Sequence, residues 1–365
     1  MKPIGLSIVV KLGISAALAL LSCAAVSAPC TTPTDECSEF VIVSGGPSRS
    51  FVYRSLPLNV SNEGVRRALI TVHGLGRDAD VYFRSALAAT FLAGALEDTV
   101  VVVPRFSSNT GTGCVDVLAT NELNWQCQST AEGWQAGAPA LNDAKLTSFD
   151  VMDEVLRRLA RKEVYPNLGQ IVVAGHSSGG RFVSRYAMVN QVHDQLRVPV
   201  SYVVANPSAY AYLDSLRPTL SALPPRVAAA APGYLAPTPA IPPEAFVQFA
   251  DARNCTTFDR WPYGLQERTG ASARLPEEQL RRQSAGRPTT YLLGELDILP
   301  LYGFDSSCAA MAQGPTRLAR GLAFAKHIND RHGGQHKVIV VPACGHSARC
   351  MFGADVSLPV LFPKQ

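Results

Sequence analysis

Short, nearly unbroken runs of apolar and β-branched residues recur along the chain: Phe40–Val43, Phe51–Arg54, Ala68–Val72, Thr99–Val103, Gln170–Ala174, Val200–Ala205, Thr289–Leu293 and Lys337–Val341. Runs of this length without strict alternation are the pattern of strands buried on both faces. Between them the apolar positions take helical spacing, at about Ala79–Leu96, Phe149–Lys162, Ser178–Val192 and Thr316–Arg331. The alternation predicts an α/β fold with a mostly parallel, doubly wound sheet of about eight strands. The first two short strands are expected to form an antiparallel edge. Two insertions interrupt the pattern. Residues 105–145 form a long polar loop carrying Trp125 and Trp134, placed by chain position near the C-terminal rim of the sheet. Residues 207–286 separate two core strands, and their first part, Pro207–Pro243, holds nine prolines among alanines. This stretch is read as a lid- or cap-like insertion, against the plainer alternative of a solvated excursion. Tyr210, Tyr212, Trp261 and Tyr263 are its candidates for lining a pocket or for packing within the insertion.

The N-terminus changes the compartment expected. Lys2 and Lys11 punctuate an apolar run that ends in small residues before Pro29, the pattern of an export signal spanning residues 1–27. Cleavage after Ser27 or after Ala24 suits the small residues there. Leu20-Leu21-Ser22-Cys23 offers an alternative, lipid anchoring at Cys23, although Leu21 fits it poorly. No later segment reaches the ~20 apolar residues of a membrane span. Residues 28–365 are then expected to form one domain. They keep eight of the nine cysteines, an even number suited to an oxidising compartment. Eight cysteines allow 105 connectivities; the set preferred on spacing is Cys30–Cys37, Cys114–Cys127, Cys255–Cys308 and Cys344–Cys350. The formal charge of +4 falls by two when Lys2 and Lys11 leave. No basic stripe appears, so nothing points to nucleic acid. No phosphate-binding glycine loop is present, so no cofactor is implied.

The chemistry concentrates where apolar runs end. Gln170–Ala174 runs into Gly175-His176-Ser177-Ser178-Gly179, followed at once by a helical pattern. Glycines two positions either side of a serine permit a sharp strand-to-helix turn that leaves its Oγ exposed. The helix N-terminus then aims N–H groups at whatever binds that serine. Ala68–Val72 ends in His73-Gly74-Leu75-Gly76, Thr289–Leu293 leads to Asp297, and Lys337–Val341 leads to His346 in a Gly-His-Ser setting. Ser177, Asp297 and His346 therefore follow three strand ends in the order nucleophile, acid, base. Glu295 and Asp305 are rival carboxylates, and Gly-x-x-Asp spacing favours Asp297. His73 and His176 are assigned to packing or turn geometry; His193, His327, His332 and His336 carry no partner signal and are expected at the surface or at helix ends. A zinc pair of Cys344 and Cys350 with His346 lacks the further Cys/His ligands it would need, so no metal site is expected.

These residues resemble an α/β-hydrolase over roughly Phe40 to Phe362. Ser148-Phe149-Asp150-Val151, Val203–Tyr210, Trp261-Pro262-Tyr263-Gly264-Leu265 and Ser307–Gly314 resemble more closely one group of secreted members without an assigned substrate. The resemblance implies a fold and a hydrolase mechanism, and no substrate. The function expected is a secreted serine hydrolase acting on a carboxylic ester: Ser177 as nucleophile, His346 as base, Asp297 orienting it, and the N–H groups of Leu75 and Ser178 as oxyanion hole. Its partner is a small or polymeric ester, a polyester or cell-wall ester being attractive for an exported enzyme. A peptidase or amidase, or a catalytically silent binding scaffold, are the alternatives. Oligomeric state is not legible.

Overall fold

A computed structural model describes residues 1, 28–127, 133–219 and 241–364. The expected signal segment, the Cys23 alternative and part of the proline-rich stretch lie outside these residues. Among the described residues there are ten strands: β1 (Ser38–Ile42), β2 (Arg49–Arg54), β3 (Arg67–Val72), β4 (Thr99–Pro104), β5 (Gln170–His176), β6 (Val200–Ala205), β7 (Leu216–Pro218), β8 (Phe246–Gln248), β9 (Thr289–Gly294) and β10 (Lys337–Val341). Eight form one sheet in the order β1-β2-β4-β3-β5-β6-β9-β10, and β7 and β8 make a separate antiparallel ribbon. β1 and β2 are antiparallel to each other, and β2 is antiparallel to β4; every other pairing in the large sheet is parallel.

Helices cover both faces because alternate strand residues point to opposite sides. In β3, Ala68, Ile70 and Val72 join one core with α2 (Ser148–Leu159), α3 (Ser178–Val189) and α6 (Arg317–His332). Leu69 joins the other core, with α1 (Ala79–Leu92), α7 (Ala348–Gly353) and α8 (Leu358–Leu361). Burying each such aliphatic side chain contributes about 1.5–3 kcal/mol, and a one-residue slip of this strand would send each to the opposite core and mispack both layers.

Local chemistry sets the helix ends. Thr147 and Asp150 form a reciprocal capping box at the start of α2, and Gly333, at φ +71°, terminates α6. The expected helix Ala79–Leu96 stops at Leu92, because Ala93 caps it and Gly94 turns the backbone left-handed at φ +63°. The helix expected to reach Val192 ends at Val189, where the Asn190 amide donates to the Tyr186 carbonyl. The β7–β8 ribbon, α4 (Glu277–Gly286) and the short helix α5 (Cys308–Met311) were not legible. The ribbon strands are three residues long, and α4 buries only Leu280 and Ser284, so neither leaves a usable apolar period.

Trp125 and Trp134 of the 105–145 loop are fully buried in the core beneath α3, with Trp134 stacked on Phe106 at 4.8 Å. The cysteines pair as Cys30–Cys37, Cys114–Cys127, Cys255–Cys308 and Cys344–Cys350. The third joins the 207–286 insertion to α5.

Candidate active site

The chain leaves β3 for β4 on one side, then crosses to β5 on the other side of β3. That reversal opens a crevice at the carboxyl ends of β3 and β5, where open α/β sheets bind ligands. Register brings the neighbouring strands to the same edge: Val72 lies beside Gly175, His176 beside Ala205, and Val341 beside Gly294.

Ser177 is the single residue between β5 and α3, held at φ 59°, ψ −118°. This left-handed conformation is costly for a residue with a Cβ. It is held by the Ser177 N–H donating to Ala205 O at 2.9 Å and by close packing of the flanking glycines. A Cβ on Gly175 would run into the Gly179 carbonyl, and one on Gly179 into the Val72 carbonyl. Ser177 is half-buried at the start of α3, whose N-terminal N–H groups point at the same crevice.

His346 lies in the loop between β10 and α7. Its Nε2 is 2.9 Å from Ser177 Oγ and its Nδ1 is 2.7 Å from Asp297 Oδ2. Asp297 is 2 % exposed, and its second oxygen accepts from Arg317 Nη1 at 3.2 Å. Arg317 is fully buried; it also donates to Ser208 Oγ and to the carbonyls of Leu301 and Tyr302. Burial pulls its guanidinium below its usual value, and Asp297 opposes the shift. The His346 loop is fastened from several sides. Leu296 N–H donates to Cys344 O, Ala343 N–H to Glu295 Oε2, and Asn206 Nδ2 to Gly345 O, while Asn206 Oδ1 accepts from Gly294 N–H. Cys344–Cys350 closes the loop around the histidine.

The rival carboxylates are engaged elsewhere. Glu295 is buried beneath the loop as the acceptor for Ala343. Asp305 pairs with Arg181 at 3.2 Å and accepts from the Tyr263 hydroxyl at 2.9 Å. Burial works to raise its pKa, but Arg181 and these bonds hold it below the usual carboxylate value.

Two other histidines support the site. Buried His73 accepts from Phe106 N–H at Nε2, so its Nδ1 carries the proton and donates to Gly74 O. Burial lowers its pKa to about 4, which keeps it neutral. His176 packs 4.6 Å from the His346 ring, and its Nδ1 meets the Tyr82 hydroxyl at 3.1 Å. Burial, helped by His346, lowers its pKa well below the ordinary value. A charge beside His346 is thus avoided.

A cavity of about 460 Å³ opens over Ser177 and His346. Leu75, Tyr82 and Tyr302 wall it, with Asp78 and Arg349 among its lining residues. Tyr302 stacks nearly parallel to His346 and is 75 % exposed, so the cavity meets solvent directly. Leu75 is in the wall; Ser178, the first residue of α3, is buried behind Ser177. Tyr210, Tyr212, Trp261 and Tyr263 do not line this cavity and are buried in packing. None of the described residues of the 207–286 insertion lines it. Arg317, Asn206, Tyr82 and Tyr302 were missed in the sequence. Their roles depend on long-range contacts and have no local pattern.

The expectation for His327 and His336 is corrected, since both are buried. His327 follows Ala323 and Phe324 on the apolar face of α6, a period that would have revealed it. His336 binds the Tyr291 hydroxyl at 3.0 Å, and burial takes its pKa down to about 4.

A family model described as the alpha/beta hydrolase family matches residues 69–355. No curated protein sequence matches the chain. Among solved structures, a poly(3-hydroxybutyrate) depolymerase from Bordetella parapertussis is similar at 20 % identity and TM-score 0.57, over 89 % of this chain and 90 % of that one. A poly(aspartic acid) hydrolase from Sphingomonas sp. KT-1 is similar at 20 % identity and TM-score 0.52, over 86 % of this chain and 95 % of that one.

Proposed function

The chain belongs to the alpha/beta hydrolase family, and from that premise we propose that it is an exported serine hydrolase cleaving carboxylic esters through Ser177, His346 and Asp297. The observation that carries this reading is the continuous contact from Asp297 Oδ2 through the His346 ring to Ser177 Oγ, at 2.7 and 2.9 Å. Asp297, held by buried Arg317, keeps the proton of neutral His346 on Nδ1 and leaves the Nε2 lone pair facing the hydroxyl. When Ser177 attacks an ester carbonyl, His346 takes the hydroxyl proton, and Asp297 stabilises the imidazolium. The tetrahedral oxyanion is received by the N–H groups of Leu75 and Ser178. His346 returns the proton to the leaving alcohol, and water repeats the cycle on the acyl-enzyme.

The solvent-facing cavity, with Tyr302 at its rim, suits a segment of a larger ester as well as a small one. The fold neighbour that is a poly(3-hydroxybutyrate) depolymerase makes a polyester the first substrate to try, and the one that is a poly(aspartic acid) hydrolase puts an amide-linked polymer beside it. Four cysteine pairs at disulfide distance support export. The test is labelling of the purified protein by a fluorophosphonate, followed by hydrolysis of a panel of p-nitrophenyl esters, feruloyl esters, polyester films and peptides. Labelling abolished by Ser177→Ala, with turnover on the esters, is expected. An unlabelled wild-type protein would favour a silent scaffold, and turnover confined to the peptides an amidase.

A further inference from the structure

Away from the cavity, three metal-ligating side chains converge at the C-terminal end of α6. His327 and His332 come from that helix, and Asp214 comes from the start of the 207–286 insertion, just before β7. His327 Nε2 is 3.3 Å from Asp214 Oδ1, His332 Nε2 is 3.2 Å from Asp214 Oδ2, and the two Nε2 atoms are 3.3 Å apart. We propose that Asp214, His327 and His332 bind a divalent zinc-type cation that clamps the insertion to the core helix.

The spacing carries the argument first. A tetrahedral ion with bonds of about 2.0–2.1 Å, the lengths zinc makes to imidazole nitrogen and carboxylate oxygen, holds its ligands about 3.3 Å apart. Each of the three observed separations is close to that edge, and one ligand atom from each residue lies within 4.8 Å of the others. The two histidines reach different carboxylate oxygens, and a modest rotation of Asp214 presents one oxygen to both.

Proton counting carries it second. With both imidazoles neutral, each Nε2 is either a donor or a lone pair. If both donate to Asp214, one to each oxygen, the His–His contact at 3.3 Å is left without a hydrogen bond. If one turns its lone pair inward, that lone pair opposes a carboxylate oxygen. No assignment turns all three contacts into hydrogen bonds, whereas one cation at their centre satisfies all three lone pairs.

The ligands are also held in place beforehand. His327 is fully buried, with its ring against Tyr212 at 4.8 Å and Phe246 at 5.1 Å. Arg217, which donates to the Asp214 backbone carbonyl, has its own carboxylate partner in Asp259 at 3.2 Å. His327 Nδ1 has no hydrogen-bond partner among the described residues, with or without a cation, so it does not discriminate. The side chains of Asp214 and His332 are 26 % and 15 % exposed, which leaves a side from which water supplies the fourth ligand. None of the three residues lines the cavity over Ser177, so the role assigned is structural and is independent of the proposed reaction.

The test uses the disulfide-intact full chain, freed of any histidine tag, stripped with chelator and then exposed to zinc. After desalting, elemental analysis should find one zinc per chain. Zinc at a hundredfold excess over Kd should raise Tm by about 4 °C. His332→Ala and Asp214→Asn should each weaken zinc retention by about 100-fold or more and abolish the Tm rise. A wild-type protein that retains no zinc overturns the proposal, as does equal retention by wild type and both variants.

Discussion

Asp297→Asn tests the proposed site most directly, because the structure dictates which way the new amide turns. Its two terminal atoms would replace one oxygen facing Arg317 and one facing His346. Arg317 only donates, so the amide oxygen is drawn to the guanidinium and the NH₂ is left against His346 Nδ1. That group donates, which forces the His346 proton onto Nε2. Nε2 then points a hydrogen at Ser177 Oγ instead of a lone pair, and the hydroxyl loses its base. A wrong tautomer of this kind costs about 10⁴-fold in turnover, or about 5.5 kcal/mol at 1.36 kcal/mol per tenfold. The fold is charged less. Arg317 loses its carboxylate partner but keeps Ser208 Oγ and two carbonyls, so a loss of about 1–3 kcal/mol is expected. The assay is kcat on a p-nitrophenyl ester beside urea denaturation, with Glu295→Gln and Asp305→Asn in parallel. An Asp297→Asn enzyme within tenfold of wild type, with either parallel variant down 10⁴-fold, would refute the assignment.

Ser177→Ala should lower turnover by about 10⁶-fold with the fold intact, since the hydroxyl's contact is to His346 alone among the bonds described; full activity would remove the elbow from the mechanism. Gly179→Ala should abolish soluble folded protein or lower its denaturation midpoint sharply, because the new methyl meets the Val72 backbone, which cannot rotate away. Cys344→Ser/Cys350→Ser should slow turnover before it melts the core: closing so short a loop contributes on the order of 2–3 kcal/mol, and Asn206, Glu295 and Leu296 still hold the loop. Wild-type turnover in that variant would show that packing alone positions His346. Acid should destabilise the protein between about pH 6.5 and 4: burial holds His73 and His336 down to about 4, whereas the unfolded chain takes up these protons near 6.5. Stability present above 6.5 is therefore lost as pH falls, on the order of 3 kcal/mol for His73; a urea midpoint flat from pH 7 to 4.5 would contradict it.

Much of the fold was legible because its signals are local. β-branched runs as long as Val200–Ala205, a glycine-flanked serine at the end of β5, and a histidine after β10 each declare themselves within a dozen residues. Strand order follows from the limited ways to wind βαβ units, and their shared direction puts Ser177, Asp297 and His346 at one edge. Packing decided the rest. Trp125 and Trp134, in a polar loop, became core because that loop folds under α3. The aromatic residues of the 207–286 insertion turned inward, away from the Ser177 cavity. Arg317, 20 residues beyond Asp297, became its partner, and Asn206 came to tie Gly294 to Gly345. Asp214 met His327 and His332 across more than a hundred residues of chain. Each of these is a meeting of residues distant in sequence, and no local period encodes a meeting. A one-dimensional pattern specifies which faces must be buried; only the closed three-dimensional packing specifies which side chains those faces bring into contact.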